Sequence, residues 1–344
     1  MYDKVIITHL PTFYKNNLYK EINENQSIFV IYISLDTEET RSSDFTGLEN
    51  VGFEHVILNT KSLQRRNSVL STLRLLKLLS KIRYKEIILS GWDLLEFWVV
   101  RYFITNDKSL ALESTIYDSS YIGLKGSIKK IFLAGIFKVY ASGELHHDLL
   151  KILGYKGIVK ITNGVGIINQ NQEIVSKKTK KYTRDFLFIG RLTEVKNLDR
   201  LIEVFNLLEN FNLKIIGTGD ESYESKLKSI SKGNIEFLGS VKNTQLKKYF
   251  SNTNFLILPS LSETWGLVID EALFHGVPVI VSNKCGSVEL VKDNFNGFLF
   301  QPENTEPLIN IIKSIDNHIY DNLVKNINSD YILDKNKAQV NAYY

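Results

Sequence analysis

Short apolar runs alternate with longer helix-like stretches along nearly the whole of this 344-residue chain, and that alternation constrains the fold more than any other feature. In the first half the strand candidates are KVIITHL, SIFVIYIS, HVILNT, KEIILSG, SLALEST, KVYAS and GIVKITNG. Helix-like stretches lie between them, among them residues 62–82 and 144–153. The second half repeats the scheme with RDFLFIG, NLKIIGTG, NIEFLGS, NFLILPS, VPVIVS and NGFLF. Its helix candidates cover residues 197–208, 223–230, 243–250, 266–274 and 305–316. Strands that are apolar throughout, rather than at every second residue, are buried on both faces. Joined by helices, they make parallel sheets with helices on both sides.

Two such sets predict an α/β chain of two doubly wound, Rossmann-like domains, with their sheets facing across a cleft. The polar, lysine-rich stretch NQNQEIVSKKTKKYTRD breaks the pattern. It sets the expected boundaries at residues 1–167, a linker at 168–183, a second domain at 184–330, and a helical segment at 331–344 that packs back on the first domain. Open α/β sheets bind ligands beyond the carboxyl ends of their strands, so the expected site lies where those ends meet.

Composition excludes several classes. Hydrophobic content of 44% and charged content of 23% are those of a globular protein. Cys285 is the one cysteine, so no disulfide framework can form within the chain, and a reducing compartment is expected. The opening run MYDKVIITHLPTFYK reads as a first strand rather than a signal peptide. No stretch reaches the roughly 20 apolar residues of a membrane span. The segment IKKIFLAGIFKVYAS is shorter and interrupted by lysine, and it reads as a buried helix followed by a strand. The net charge of +4 comes from the first half: residues 1–170 hold 21 basic and 17 acidic side chains. Between Lys61 and Lys85 lie eight basic residues and no acidic one. With the overall charge nearly balanced and no recognition motif present, nucleic acid is not an expected partner.

The most informative stretch is LPSLSETWGLVIDEALFHGVPVIVSNKCGSVELV. A strand ends at Pro259–Ser260, a short loop carries Glu263 and Thr264, and Gly266 opens a helix with Gly276 placed just past its end. The free N–H groups of such a helix start attract anions, and glycine lets a phosphate approach. Glu263 and Glu271 flank that start. About 1.5 Å of rise per helical residue separates them by on the order of 12 Å, which suits a nucleotide sugar lying across it. Either glutamate alone is equally well an ordinary helix residue. A second stretch, FLFIGRLTEVKNLDRLIEVF, ends a strand at Gly190 and places Arg191 and Lys196 in the following turn. Two cations at a strand end suit a diphosphate, although alone they are equally surface cations.

Together these stretches resemble retaining glycosyltransferase family 4, which has the GT-B fold. The family pattern of two glutamates separated by seven residues is met by Glu263 and Glu271, with Trp265–Gly266 and Glu271–Ala272 in place. The run Gly276–Val277–Pro278–Val279–Ile280 follows, then Gly286, Glu289, Asn296 and Gly297. Gly190, Arg191, Leu192, Lys196 and Asn197 match the diphosphate motif, and Asn163–Gly164–Val165 matches the close of the acceptor domain. The resemblance implies that Glu271 holds the donor ribose and Glu263 meets the transferred sugar. Arg191 and Lys196 would neutralise the diphosphate, beside Gly190. Backbone groups of Thr264, Trp265, Gly266, Leu267 and Val268 would meet sugar and phosphate, and Ser240 and Val241 would line the nucleobase. It also implies retention of anomeric configuration and no metal or other cofactor; no His/Cys/Asp cluster in the sequence has metal-ligand spacing.

The first half departs from the family. The loop after its first strand, HLPTFYKNN, has no glycine, and Glu113 or Ser114 stands where many members carry a histidine. His9, at the end of the first strand, is a second acceptor-side candidate. His146 and His147 read as solvated. The expected partners are a nucleotide-sugar donor and a glycan or lipid-linked acceptor of cell-surface polysaccharide (O-antigen or capsule) assembly. The Lys61–Lys85 stretch is a candidate contact with an anionic membrane. The expected location is therefore cytoplasmic, on the inner face of the membrane. The rival readings are an inactive sugar-nucleotide-binding scaffold subunit and a GT-B sugar-nucleotide epimerase.

Overall fold

The structure is a computed structural model, and it describes residues 1–39, 44–169 and 181–344. Most of the expected linker, residues 170–180, lies outside the described residues. The chain forms two compact units. Unit 1 comprises Met1–Glu39, Asp44–Ile168 and Asn336–Tyr344. The described part of unit 2 comprises Asn169 and residues 181–335.

Unit 1 runs β1 (Tyr2–Thr8), α1 (Phe13–Asn23), β2 (Ile28–Tyr32), β3 (Glu54–Ile57), α2 (Ser68–Leu79), β4 (Tyr84–Leu89), α3 (Leu95–Phe103), β5 (Asp107–Leu112), α4 (Gly123–Leu133), β6 (Lys138–Ala141), α5 (Glu144–Ile152) and β7 (Ile158–Ile161). Its strands form one sheet in the order β3-β2-β1-β4-β5-β6-β7, with every pairing parallel. Two apolar clusters cover the two faces. One joins Val5, Ile7, Ile87 and Leu89 to Leu75 and Leu79 of α2, Phe97 and Val100 of α3, Phe132 and Leu133 of α4, and Leu149 and Leu150 of α5. The other joins Ile6, Val30 and Ile88 to Leu18, Tyr19 and Ile22 of α1, and to Val340 and Tyr343 at the end of the chain. Tyr343 stacks on Tyr140 at 4.4 Å between ring centroids.

Unit 2 runs β8 (Asp185–Ile189), α6 (Leu198–Leu207), β9 (Asn212–Ile216), α7 (Glu221–Ile230), β10 (Ile235–Gly239), α8 (Lys247–Ser251), β11 (Phe255–Leu258), α9 (Leu267–Phe274), β12 (Val279–Ser282), β13 (Gly297–Phe300), α10 (Glu306–Ser314) and α11 (Asn317–Asn326). Its parallel sheet has the order β10-β9-β8-β11-β12-β13. The last helix, α12 (Ser329–Ala342), begins in unit 2 and has its final turns in unit 1.

All thirteen strand candidates are strands. Three local readings need correction. The helix expected over residues 62–82 is limited to α2, because the side chain of Asn67 caps Leu70 N–H at 3.0 Å and Arg66 ahead of it turns inward. Arg66 forms a two-pronged pair with Glu96 at 2.8 and 2.9 Å, and the Glu96 side chain is fully buried. His146 is not solvated but buried on the inner side of α5. The segment read as a buried helix is α4, whose outer side carries exposed Leu124, Ile128 and Ile131.

A charged ladder crosses the middle of unit 1's sheet. Glu86 accepts from Lys4 at 2.7 Å and Lys138 at 3.1 Å, and Ser109 and Tyr140 also donate to it. Burial pushes the Glu86 carboxyl up, but these hydrogen bonds and cations outweigh that and hold it below the usual range. Removing one partner of a buried pair leaves the other charge uncompensated. Glu86→Gln should therefore destabilise unit 1 by about 3–5 kcal/mol near neutral pH, measured by urea denaturation. A carboxyl depressed in the folded state stabilises above its unfolded pKa and loses that effect as pH falls through the folded value. The gap between wild type and variant should accordingly shrink in acid.

Candidate donor site in the C-terminal unit

In unit 2 the strand order reverses direction between β8 and β11, and a doubly wound sheet opens a crevice beyond the carboxyl ends of such a pair. The segments that follow β8 and β11 carry the charged residues singled out in the sequence. After β8, Gly190 donates its N–H to the Ile216 carbonyl at 3.0 Å. A Cβ on Gly217 would lie 1.8 Å from the Gly190 carbonyl oxygen, so only glycine lets the ends of β8 and β9 come this close. Leu192 is buried and pairs with Gly219, while Arg191 beside it faces solvent.

A 3₁₀ turn, Glu194–Lys196, then leads into Asn197, whose φ of 59° is left-handed. Asparagine tolerates that conformation better than most residues. Here its buried side-chain amide also donates to the Pro259 carbonyl at 3.2 Å and the Pro302 carbonyl at 3.0 Å. Leu261 N–H donates to Val195 O at 2.8 Å. The turn after β8 is thus fastened to the loop after β11, and Lys196 Nζ forms an ion pair with Glu263 Oε2. Both side chains are largely covered, at 14% and 15% exposure.

The Glu263 loop is itself built into unit 2. Glu263 bridges Cys285, Gly286 N–H donates to Glu263 O at 2.9 Å, and Ser287 N–H to Trp265 O at 3.0 Å. Burial, and then the Glu263 charge, push the Cys285 thiol well up, so it stays protonated and inert. Gly266 adopts φ 94°, and a Cβ there would lie 2.9 Å from Leu258 Cδ2. That turn aims the start of α9 at the carboxyl edge. The N–H groups of Leu267 and Val268 precede any acceptor in the helix's own ladder.

Trp265 points inward. Its side chain is buried and its indole N–H donates to Asp270 Oδ2 at 2.9 Å. Lys335 closes the cluster at 2.7 Å from Asp270 Oδ1, with its ammonium 5.9 Å from the Trp265 ring. Only the backbone of Trp265 is therefore available at the edge, while Thr264 is exposed and Gly266, Leu267 and Val268 are half-buried. At the other end, Glu271 Oε1 accepts from Asn243 Nδ2 at 2.8 Å, and Asn243 Oδ1 from Asn169 Nδ2 at 2.6 Å. Asn243 lies just beyond Ser240 and Val241, which follow β10 at the left-handed Gly239. Arg191, Lys196, Glu263, Glu271 and the Ser240–Val241 segment thus share one edge of unit 2. From sequence Asn197 was matched only as part of the diphosphate motif, and Asn243 was not singled out. An asparagine at the junction of a turn and a helix was the visible signal for the first, and nothing marked the second.

Unit 1 also changes strand direction between β1 and β4, and there His9 Nε2 lies 3.0 Å from both carboxylate oxygens of Asp93. A Cβ on Gly91 would sit 2.6 Å from Asp93 Oδ1 and 3.1 Å from His9 Cε1, so this glycine leaves room for the pair. Partial burial pushes the Asp93 carboxyl up, but the bond and charge of His9 outweigh it and leave the carboxyl below its usual range. Glu113 is joined not to His9 but to Lys15 of α1, at 2.7 Å. Burial disfavours the Lys15 ammonium, yet Glu113 outweighs that and holds its pKa well above the lysine range. Asp93 and Lys15 are the two partners the sequence did not reveal. Among the described residues, no group of three His, Cys, Asp or Glu side chains could hold a metal ion.

Comparison with solved structures identifies the architecture as the GT-B fold. A sucrose-phosphate synthase from Thermosynechococcus elongatus superposes with a TM-score of 0.78 over 99% of this chain and 97% of its own, at 16% identity. HepE from Anabaena, in complex with UDP and glucose, superposes with a TM-score of 0.73 over 98% of each chain, at 14% identity. Residues 169–327 match the family model described as glycosyl transferases group 1. An uncharacterized 41.2 kDa protein in the cps region of Klebsiella pneumoniae is 32% identical over 138 residues, which are 40% of this chain and 38% of that one. This chain spans 21–58% of the length of these and similar curated relatives.

The left-handed turn at Gly266 is directly testable. Gly266→Ala should cost about 1–3 kcal/mol, because it adds a clash with Leu258 to an unfavourable φ. Gly233→Ala, where an added Cβ meets nothing within 4 Å, should be near neutral. Thermal unfolding of the two variants measures the difference.

Proposed function

We propose that this protein is a retaining glycosyltransferase. It moves a hexose from a nucleotide sugar to a glycan or lipid-linked acceptor in cell-surface polysaccharide assembly. The observation that carries the reading is the Lys196–Glu263 pair at the strand-order reversal of unit 2, beside the N-terminus of α9. A diphosphate set against Leu267 and Val268 N–H would be met by the helix's positive end and by Arg191 and Lys196. Glu263 would then accept hydrogen bonds from the hydroxyls of the transferred sugar. Glu271, held by Asn243, would do the same for the ribose, with Ser240 and Val241 beside the base.

The chemistry we propose follows from that placement. The bond between the sugar's anomeric carbon and the diphosphate oxygen breaks, and the acceptor oxygen bonds to the same face of that carbon. The acceptor's proton passes to the departing phosphate. Arg191 and Lys196 stabilise the charge developing on the leaving group, so the protein contributes electrostatics and positioning rather than a nucleophile. No metal enters this scheme. His9, oriented by Asp93, and Glu113, held by Lys15, are the proposed acceptor-side groups of unit 1. The cps-region relative supports the polysaccharide setting.

Donor candidates can be ranked by thermal shift against UDP, GDP, dTDP, CMP and their sugars, since a ligand that binds the native state raises apparent stability. UDP-glucose comes first, because the HepE structure contains UDP and glucose. With the donor so found, Arg191→Ala and Lys196→Ala should each lower kcat about 10²–10³-fold with the fold intact. Glu271→Ala should act mainly on donor KM. Near-normal turnover in both cation variants would remove the proposed role. Nucleotide binding without turnover on any acceptor would point to a binding subunit instead.

A further inference from the structure

Helix α4 carries an apolar stripe on its solvent side. Leu124, Ile128 and Ile131 recur at i, i+4 and i+7, and they are 78%, 41% and 50% exposed. Its core contacts come from Gly126 and Leu133 on the opposite side and from Phe132 on one flank. At about 100° per residue, Lys125 and Lys130 fall on either flank of the stripe. Ile122, just ahead of the helix, is 75% exposed. The patch continues onto the end of α3. Arg101 donates to the carbonyls of Ile131 and Phe132 at 3.0 and 3.2 Å, and next to it Tyr102 and Phe103 lie open to solvent. Residues 119–143 contain four lysines and no acidic residue.

A surface helix of a globular protein ordinarily turns such a stripe inward. A contiguous apolar patch of this kind marks an interaction surface. We propose that this face of α4, with the end of α3, rests on an anionic lipid surface. The charge pattern selects that occupant. A narrow apolar stripe flanked by lysines, with no carboxylate on the helix itself (Asp118, in the loop ahead, acts on Lys129), is how a helix lies in the interface plane, its apolar side sunk about 5–10 Å and its cations at the headgroups. Among the described residues no helix is long and apolar enough to cross a membrane.

Part of the Lys61–Lys85 stretch is already engaged. Arg65, Arg66 and Lys85 are paired with Glu38, Glu96 and Asp3. Because α4 follows β5 and returns antiparallel to it, Ile122 and Leu124 lie at the carboxyl edge of unit 1's sheet, the edge that carries His9, Asp93 and Glu113. The inference deepens the lipid-linked acceptor of the proposed function and rests on that reading only for the acceptor's identity.

Co-sedimentation of the full chain with phosphatidylcholine vesicles, with and without phosphatidylglycerol, tests it. Wild type should bind the anionic vesicles at least about tenfold better than the neutral ones, and salt should weaken that binding. Leu124→Ser/Ile128→Ser/Ile131→Ser should reduce binding about tenfold or more, because each side chain removed forfeits its apolar insertion. Lys125→Glu/Lys130→Glu should abolish the preference for the anionic vesicles. All five positions are exposed, and unchanged circular dichroism confirms that both variants fold. Wild type that ignores anionic vesicles, or a triple-serine variant that binds as wild type does, overturns the proposal. So does a dimer, seen by light scattering, that dissociates in the triple-serine variant, since a second copy would then cover the stripe. The readout involves no sugar, so vesicle binding without nucleotide binding would overturn the proposed function and leave this inference standing.

Discussion

The donor-like edge of unit 2 depends on one side chain that carries no charge. Asn197 takes a left-handed turn that few residues tolerate, and its amide holds two backbone carbonyls from two different strand ends. Without that clamp the turn after β8 and the loop after β11 would be left to the Leu261–Val195 backbone bond. With it, a lysine and a glutamate 67 positions apart in the chain become a covered ion pair. The desolvated carbonyls of Pro259 and Pro302 have their partner in the same amide, so the fastening also satisfies buried polar groups. The chemistry-bearing residues are therefore consequences of backbone geometry set beneath them.

The same logic governs α9. Its start is fixed from inside by Trp265, Asp270 and Lys335, a buried hydrogen bond and ion pair that present only backbone at the edge. Its far end is fixed by the Asn243 bond to Glu271. A group that must meet a ligand with a given geometry needs support from residues that never touch it. In unit 2 that support comes largely from asparagine, which offers a donor and an acceptor without adding charge.

Much of this was legible in the sequence, for identifiable reasons. Strands buried on both faces are written as unbroken apolar runs, so all thirteen could be read directly. Glu263, Glu271, Arg191 and Lys196 stood out because their spacing resembled a family. Direction was harder to read. Leu124, Ile128 and Ile131 have the spacing of a core stripe, and periodicity says which residues share a face but not which way the face points. His146 was misread for the same reason. Partners distant in the chain were invisible: nothing near Glu113 marks Lys15, and nothing near His9 marks Asp93.

The closing helix has a consequence of its own. Val340 and Tyr343 complete the apolar cover on the α1 face of unit 1, with Tyr343 lying flat on Tyr140. Those residues are made after the whole of unit 2. The first unit to be synthesised must wait, with Tyr140 and its neighbours uncovered, until the whole of the second has been made. Folding of this chain therefore cannot be strictly sequential from one end to the other, although domains generally fold as units in the order they are synthesised. Unit 1 is a unit in space without being one in synthesis, and a gene divided at the linker would yield a first half with an open face.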